Sequence, residues 1–268
     1  MSIKYLFFDV DGTLLPFGLD MGIKTREALL QAQANGHKLF LSTGRSPAEL
    51  DPRLNVIHFD GGIYAGGAEA CIGKRRIYSS FISKDELAWI YEKSKEWGWL
   101  LLVQTTKGSY LTKEMQSALI DLFMKSLGRL LVIEGLNIVD KLPYPEDATK
   151  LVFITPHHDA REAREKLSPY FDVVDNTMGV PLDSCAEILQ KGMSKAIGFR
   201  KIMNYYGASI DDSIAFGDGA NDIEILQSAG IGVAMGNASA EVKAISDYVT
   251  TSVYDDGIAA ALKHLGVI

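Results

Sequence analysis

Cysteine is scarce: the chain holds only Cys71 and Cys185 in 268 residues, far apart in sequence. There is no CxxC pair and no HExxH, and with five histidines in the chain a zinc site is not expected. Two isolated cysteines read as reduced core residues and suggest a cytoplasmic setting. Long hydrophobic runs are missing as well. No apolar stretch approaches the roughly 18 residues of a spanning helix. The N-terminus enters a strand without the basic-then-apolar pattern of a signal peptide, so neither membrane insertion nor export is expected. Basic clusters are also absent and the net charge is −7, which argues against a nucleic-acid partner. No repeat or low-complexity tract occurs, and no protein partner is implied. Two phosphate-binding patterns fail: Gly73-Lys74 is followed by Arg75 rather than Ser or Thr, and Gly230–Gly236 is one residue too long for GxGxxG.

What is present is an ordinary globular composition, 47% hydrophobic and 23% charged, which excludes disorder. The most informative stretch opens the chain. Tyr5-Leu6-Phe7-Phe8 has the length and composition of a fully buried parallel strand, and it stops at Asp9-Val10-Asp11-Gly12. Open α/β sheets bind ligands at the carboxyl ends of their strands. Residues one apart on an extended chain point the same way, so Asp9 and Asp11 can share one small space. Gly12 permits the tight turn. An isolated DxDG also fits a plain turn with two solvated acids. An EF-hand loop does not fit, because its glycine arrives two places early.

A helix over Thr25–Asn35 and a strand over His37–Leu41 follow, the strand ending at Ser42-Thr43-Gly44-Arg45. A hydroxyl, a glycine and Ser46-Pro47 opening a helix make a small anion cradle, although an N-cap turn accounts for the same residues. Asn55–Phe59 reads as a third strand ending at Asp60-Gly61-Gly62. Beyond Phe81 the texture becomes mixed α+β, with helices over Ser83–Trp97, Lys113–Leu127 and Asp159–Leu167 and strands over Leu100–Gln104 and Leu151–Thr155. Trp89, Trp97 and Trp99 read as packing residues, and His157-His158 as a turn. Strand–helix alternation returns near Ala186. The expected domains are therefore a core over 1–81 and 185–268 and an α+β insertion over 82–184.

A second acidic strand end lies far along the chain. Ser213–Phe216 is a short buried strand that runs into Gly217-Asp218-Gly219-Ala220-Asn221-Asp222. If both strands share one parallel sheet, Asp9, Asp11, Asp218 and Asp222 converge. That many carboxylates need a cation or shared protons, and Mg2+ suits hard oxygen donors at a phosphate site.

Taken in order, DVDGTLL, STGR, KGMSK and GDGAND resemble the four motifs of the haloacid dehalogenase (HAD) superfamily. The insertion, the VAMGNA tail and DDGIAAAL resemble its Cof-type sugar-phosphatase-like branch. The likeness runs from Lys4 to near Leu262. It implies an α/β fold, a Rossmann-like parallel sheet with an inserted α+β cap, and a Mg2+-dependent phosphatase of small phosphorylated metabolites. A phosphotransferase or phosphomutase, or a phosphometabolite-binding regulator, could use the same scaffold. By resemblance Asp9 is the nucleophile and Asp11 the general acid/base, with its carbonyl at the metal. Thr43, Gly44 and Asn221 hold phosphate. Lys195, rather than Lys191, supplies the positive charge. Asp218 ligates the metal and Asp222 serves it directly or through water, so that Asp9, Asp11, Asp218 and Asp222 form the expected metal set. One departure is apparent: relatives carry Asn-Gly-Ala after the third strand, where Asp60-Gly61-Gly62 is read here.

Overall fold

The computed structural model describes residues 2–127, 135–155, 160–175 and 184–268. His157-His158 and the expected helix start at Asp159 lie outside them. The chain divides into two compact units: Met1–Gly44, Asp51–Ser79 and Ser194–Ile268 form one, and Arg45–Leu50 with Ser80–Met193 form the other.

The first unit is built on an eight-stranded sheet in the order Tyr248–Val249, Ile231–Ala234, Ser213–Gly217, Tyr5–Phe8, Lys38–Ser42, Gly61–Tyr64, Glu69–Ile72, Arg75–Ser79. The first six strands run parallel, and the last two are antiparallel additions. Tyr5–Phe8 is central because its side chains are apolar on both faces, as a strand covered on both sides requires. Phe7 stacks on Phe40 and meets Phe199 edge-on, each at 4.9 Å between centroids, while Phe8 stacks on Phe216 at 4.8 Å on the other face. Strand order reverses between Tyr5–Phe8 and Ser213–Gly217, which pair directly from Tyr5↔Ser213 to Phe8↔Phe216. A reversal of this kind opens a crevice at the strands' carboxyl ends.

The second unit carries a six-stranded sheet in the order Phe171–Asp175, Cys185–Gln190, Ala148–Ile154, Leu100–Thr105, Gly108–Leu111, Leu136–Ile138. Its helix Lys84–Trp97 starts where expected, because Ser83 and Glu86 form a reciprocal capping box. Trp97, Trp99 and Phe153 pack in sequence inside this unit, at 4.5 and 5.2 Å.

Three expectations need correction. The strand Cys185–Gln190 pairs with Ala148–Ile154 and Phe171–Asp175 and buries Cys185, Ala186 and Ile188 in the second unit's core. The boundary drawn at 184/185 therefore moves to 193/194. The segment Arg45–Leu50, counted in the core by its position, belongs to the second unit, where Glu49 accepts hydrogen bonds from Gln104 and Ser109. The third strand is Gly61–Tyr64 and not Asn55–Phe59, because Asp51 and Pro52 start a 3-10 turn over Pro52–Val56. Two glycines open that strand despite poor strand propensity, since a Cβ on Gly61 would lie 2.1 Å from the Cys71 carbonyl oxygen.

Phe7 is fully buried, so Phe7→Ala should lower stability by about 3–5 kcal/mol. Phe17→Ala, at an exposed position, should change it by less than about 0.5 kcal/mol. Urea midpoints of both variants test this, and equal effects would contradict the central placement of the first strand.

Candidate active site

Each site residue of the first unit follows a parallel strand at the same sheet edge. Asp9 and Asp11 follow Tyr5–Phe8, Thr43 and Gly44 follow Lys38–Ser42, and Asp218 to Asp222 follow Ser213–Gly217. Lys195 enters from the first turn of the helix Lys195–Tyr206. That helix start is set by backbone contact. Gly67, at φ +110°, approaches so closely that a Cβ would sit 2.0 Å from the Ser194 carbonyl oxygen. The Gly66 N–H in turn donates to the Thr43 carbonyl at 3.1 Å, and the Thr43 N–H donates to the Ile63 carbonyl at 2.9 Å.

The centre is a buried ion triad. Lys195 Nζ donates to Asp9 Oδ1 at 2.6 Å and to Asp222 Oδ1 at 2.7 Å. All three residues are withdrawn from solvent. Asp222 Oδ2 accepts from the Asp218 and Gly219 N–H groups, both at 3.1 Å. Both oxygens of Asp222 are thus engaged by protein donors, and this residue holds the lysine and the loop together. Asp218 accepts from the Thr13 hydroxyl at Oδ1, 3.1 Å, and from the Asn237 amide at Oδ2, 3.1 Å.

Carboxylate oxygens of Asp9, Asp218 and Asp222 lie within 4.8 Å of one another. Burial raises the Asp9 carboxyl well above its ordinary value; Lys195 opposes this, while Asp222, Asp218 and Asp11 add to it. Burial also pushes Asp218 up to about 7, with the Asp222 charge adding to it and the Thr13 hydrogen bond opposing. Burial pulls Lys195 down, but Asp222 and Asp9 outweigh it and hold the lysine as a cation. With all three carboxyls ionised, one ammonium leaves two negative charges in excess, and, after burial, the raised Asp9 and Asp218 values reflect that excess. A divalent cation with hard oxygen ligands fits that donor set in both charge and chemistry.

The structure thus brings Asp9, Lys195, Asp218 and Asp222 together. The Asp11 carboxylate is outside the gathered oxygens but close enough for its charge to act on Asp9 and Asp218. Buried Thr43 lies two residues past the Phe8↔Leu41 pair, with Gly44 next to it, and Asn221 is half-buried on the turn Ala220–Asp222. Lys191 belongs to the second unit, where it bonds the Ser168 carbonyl at 2.7 Å and Asp172 at 3.0 Å. Asp60 is removed from this edge: it pairs with Lys38 at 2.8 Å and accepts from the Leu39 N–H at 3.0 Å, at the amino end of the strands. The residues that follow the third strand at the site edge are Ala65-Gly66-Gly67-Ala68. Sequence reasoning gave no role to Asn237 and Thr13, although they lie inside the VAMGNA and DVDGTLL stretches. The first could have been found as a lone amide just past the buried strand Ile231–Ala234, at the same sheet edge.

A parallel sheet with a topological reversal and a lysine-paired, acid-rich strand end is the layout of an α/β enzyme for phosphoryl groups. The chain matches the family model for haloacid dehalogenase-like hydrolase over residues 6–262, and it belongs to that family. It is 27% identical over 264 residues to 5-amino-6-(5-phospho-D-ribitylamino)uracil phosphatase YitU of Bacillus subtilis (strain 168), covering 96% of this chain and 95% of that one. Among solved structures, BT1666 from Bacteroides thetaiotaomicron, a HAD phosphatase, superposes with a TM-score of 0.84 at 28% identity, covering 99% of this chain and 96% of that one. The HAD subclass IIB sugar phosphatase BT4131 superposes with a TM-score of 0.78 at 31% identity, covering 99% and 100%.

Removing Lys195 leaves two buried carboxylates without their cation. In metal-free buffer Lys195→Ala should cost about 3–5 kcal/mol at pH 8 and less at pH 5, where the raised Asp9 and Asp218 carboxyls can hold protons. The sign follows from the raised values. The folded protein keeps protons that the unfolded chain releases near 3.8, so metal-free stability falls as pH rises from there to about 7. Without Lys195 that fall should steepen. Urea unfolding at the two pH values measures it, and a pH-independent cost would rule out the charge explanation.

Proposed function

We propose that this hydrolase is a Mg2+-dependent phosphatase of small soluble phosphomonoesters, sugar phosphates among them, acting through a phosphoaspartyl group on Asp9. The observation that carries the reading is the buried Asp9, fixed by Lys195 at 2.6 Å beside two further carboxylates. The names of the relatives, a phosphoribitylamino-uracil phosphatase and a sugar phosphatase, support a small polar phosphate ester as substrate.

In this reading Asp9 attacks phosphorus, forming a carboxylate–phosphorus bond as the bond to the leaving oxygen breaks. Asp11 gives that oxygen its proton. It then takes a proton from a water, which attacks phosphorus and releases inorganic phosphate and free Asp9. Lys195 balances the nucleophile and the phosphoryl oxygens, while the Thr43 hydroxyl, the Gly44 N–H and Asn221 hold those oxygens in place. Asp9, Asp218 and the Asp11 carbonyl would hold Mg2+, with Asp222 contributing its charge or a bound water; the cation supplies the charge that lets an anionic nucleophile meet an anionic ester. The second unit contains none of these catalytic residues, and we assign it the role of a cap that selects the leaving group.

Three outcomes are expected. Phosphate release from an aryl phosphate should vanish with a chelator and return with Mg2+; full turnover in metal-free buffer would sink the metal assignment. Asp9→Asn keeps the shape but removes the attacking charge, so kcat should fall by several orders of magnitude. Lys195→Ala should cost far more activity than Lys191→Ala. Single-turnover kinetics of the variants provide the check.

A further inference from the structure

We infer that Asn237 is a positioning residue that fixes the Asp218 carboxylate for cation binding and ties its loop to the loop of the nucleophile. The inference rests on the metal-dependent reading above. Asn237 Nδ2 donates to the Gly12 carbonyl at 2.9 Å and to Asp218 Oδ2 at 3.1 Å. Its Oδ1 accepts from the Val253 N–H at 2.9 Å and from the Ser252 hydroxyl at 3.4 Å. The amide orientation is therefore set by its partners, with two acceptors on one side and two donors on the other. Among common side chains of this length, only an amide satisfies both sides.

The geometry of the neighbours explains why such a tie is needed. Gly12 has φ +86°, and a Cβ there would lie 2.3 Å from Asp218 Oδ2, so the carboxylate packs directly on the bare backbone of the first loop. The backbone ladder between the two strands runs as far as the Asp9 N–H, which donates to the Phe216 carbonyl at 3.0 Å, and the side chains of Thr13 and Asn237 tie the loops past that point. Thr13 bonds the other oxygen, Oδ1, at 3.1 Å. Asp218 is thus oriented from both sides, and each oxygen retains lone-pair capacity for a cation. Donors that orient a ligating carboxylate reduce the ordering left for the metal to impose, and losing one typically costs about 10–100-fold in metal affinity. With alanine at 237, Asp218 loses one orienting donor and the Gly12 carbonyl loses its side-chain partner.

The experiment uses the full chain and Mg2+ alone as probe, with calorimetric titration and thermal shift. Asn237→Ala should weaken Mg2+ binding by about tenfold or more. Ser252→Ala, which trims the accepting side and leaves Nδ2 in place, should stay within about twofold of the parent. At saturating Mg2+ the kcat of Asn237→Ala should recover towards the parent value with the substrate KM unchanged, a rescue that a purely structural role would not give. Should Asn237→Ala fail to fold, Asn237→Ser is read the same way, since a serine cannot reach both acceptors. A folded variant that binds Mg2+ as the parent does overturns the inference. A parent chain that binds no Mg2+ overturns the reading beneath it instead.

Discussion

A single ammonium shared by two buried carboxylates is the constraint on which the rest of the site depends. Burying an ion costs several kcal/mol even after the surroundings relax, and only close, well-satisfied partners repay it. Lys195 obtains such partners at 2.6 and 2.7 Å. Asp222 is satisfied further by two backbone N–H groups, so its charge is well accommodated. Asp9 is held by Lys195 at 2.6 Å, yet burial still drives its carboxyl upward. The two carboxylates of the triad are thus unequal: burial lifts Asp9, and Lys195 favours the charged form that the proposed mechanism needs.

The fold makes this arrangement possible at low entropic cost. Asp9 and Asp222 are more than 200 positions apart, yet their strands are neighbours paired over Tyr5–Phe8 and Ser213–Phe216. Closing so long a loop is expensive for any isolated pair of charges. The stack of Phe8 on Phe216 and the strand pairing beneath it close the same loop and already meet that requirement. The site's charges are then placed by residues immediately following these strands, so their positions follow from hydrophobic packing that has no electrostatic content.

Much of this was legible in the sequence, and the exceptions have physical causes. Short apolar runs ending in acids identified both central strands, and the helix expected from Lys113 starts there. Asp9, Asp11, Asp218 and Asp222 read as one cluster from their places after two buried strands, with Lys195 added by resemblance; the structure gathers the carboxylates of Asp9, Asp218 and Asp222 and leaves that of Asp11 outside. Gly61–Tyr64 was not legible, since its strand rests on close backbone approach to Cys71 and not on side-chain propensity. Cys185–Gln190 was assigned to the wrong unit because a buried apolar strand reads the same whichever sheet it joins. Asn237 was missed because its importance lies in the pairing of its donors and acceptors across the fold, and one amide in a loop gives no periodic signal.

The same reasoning shows why the leaving group is not written into this site. Asp9, Lys195, Thr43, Gly44 and Asn221 all suit a phosphoryl group, and Asp218 and Asp222 suit its countercharge. A phosphoryl group is identical in every phosphomonoester, so a site tuned to it discriminates little between esters. Discrimination requires groups that touch the part of the substrate that varies. The glycines at this edge reinforce the point. Gly12 and Gly67 have no side chain to offer a substrate, and each is held against a neighbour, Asp218 in one case and the Ser194 carbonyl in the other. In the proposed reading, discrimination between esters falls to residues outside the segments that build the triad.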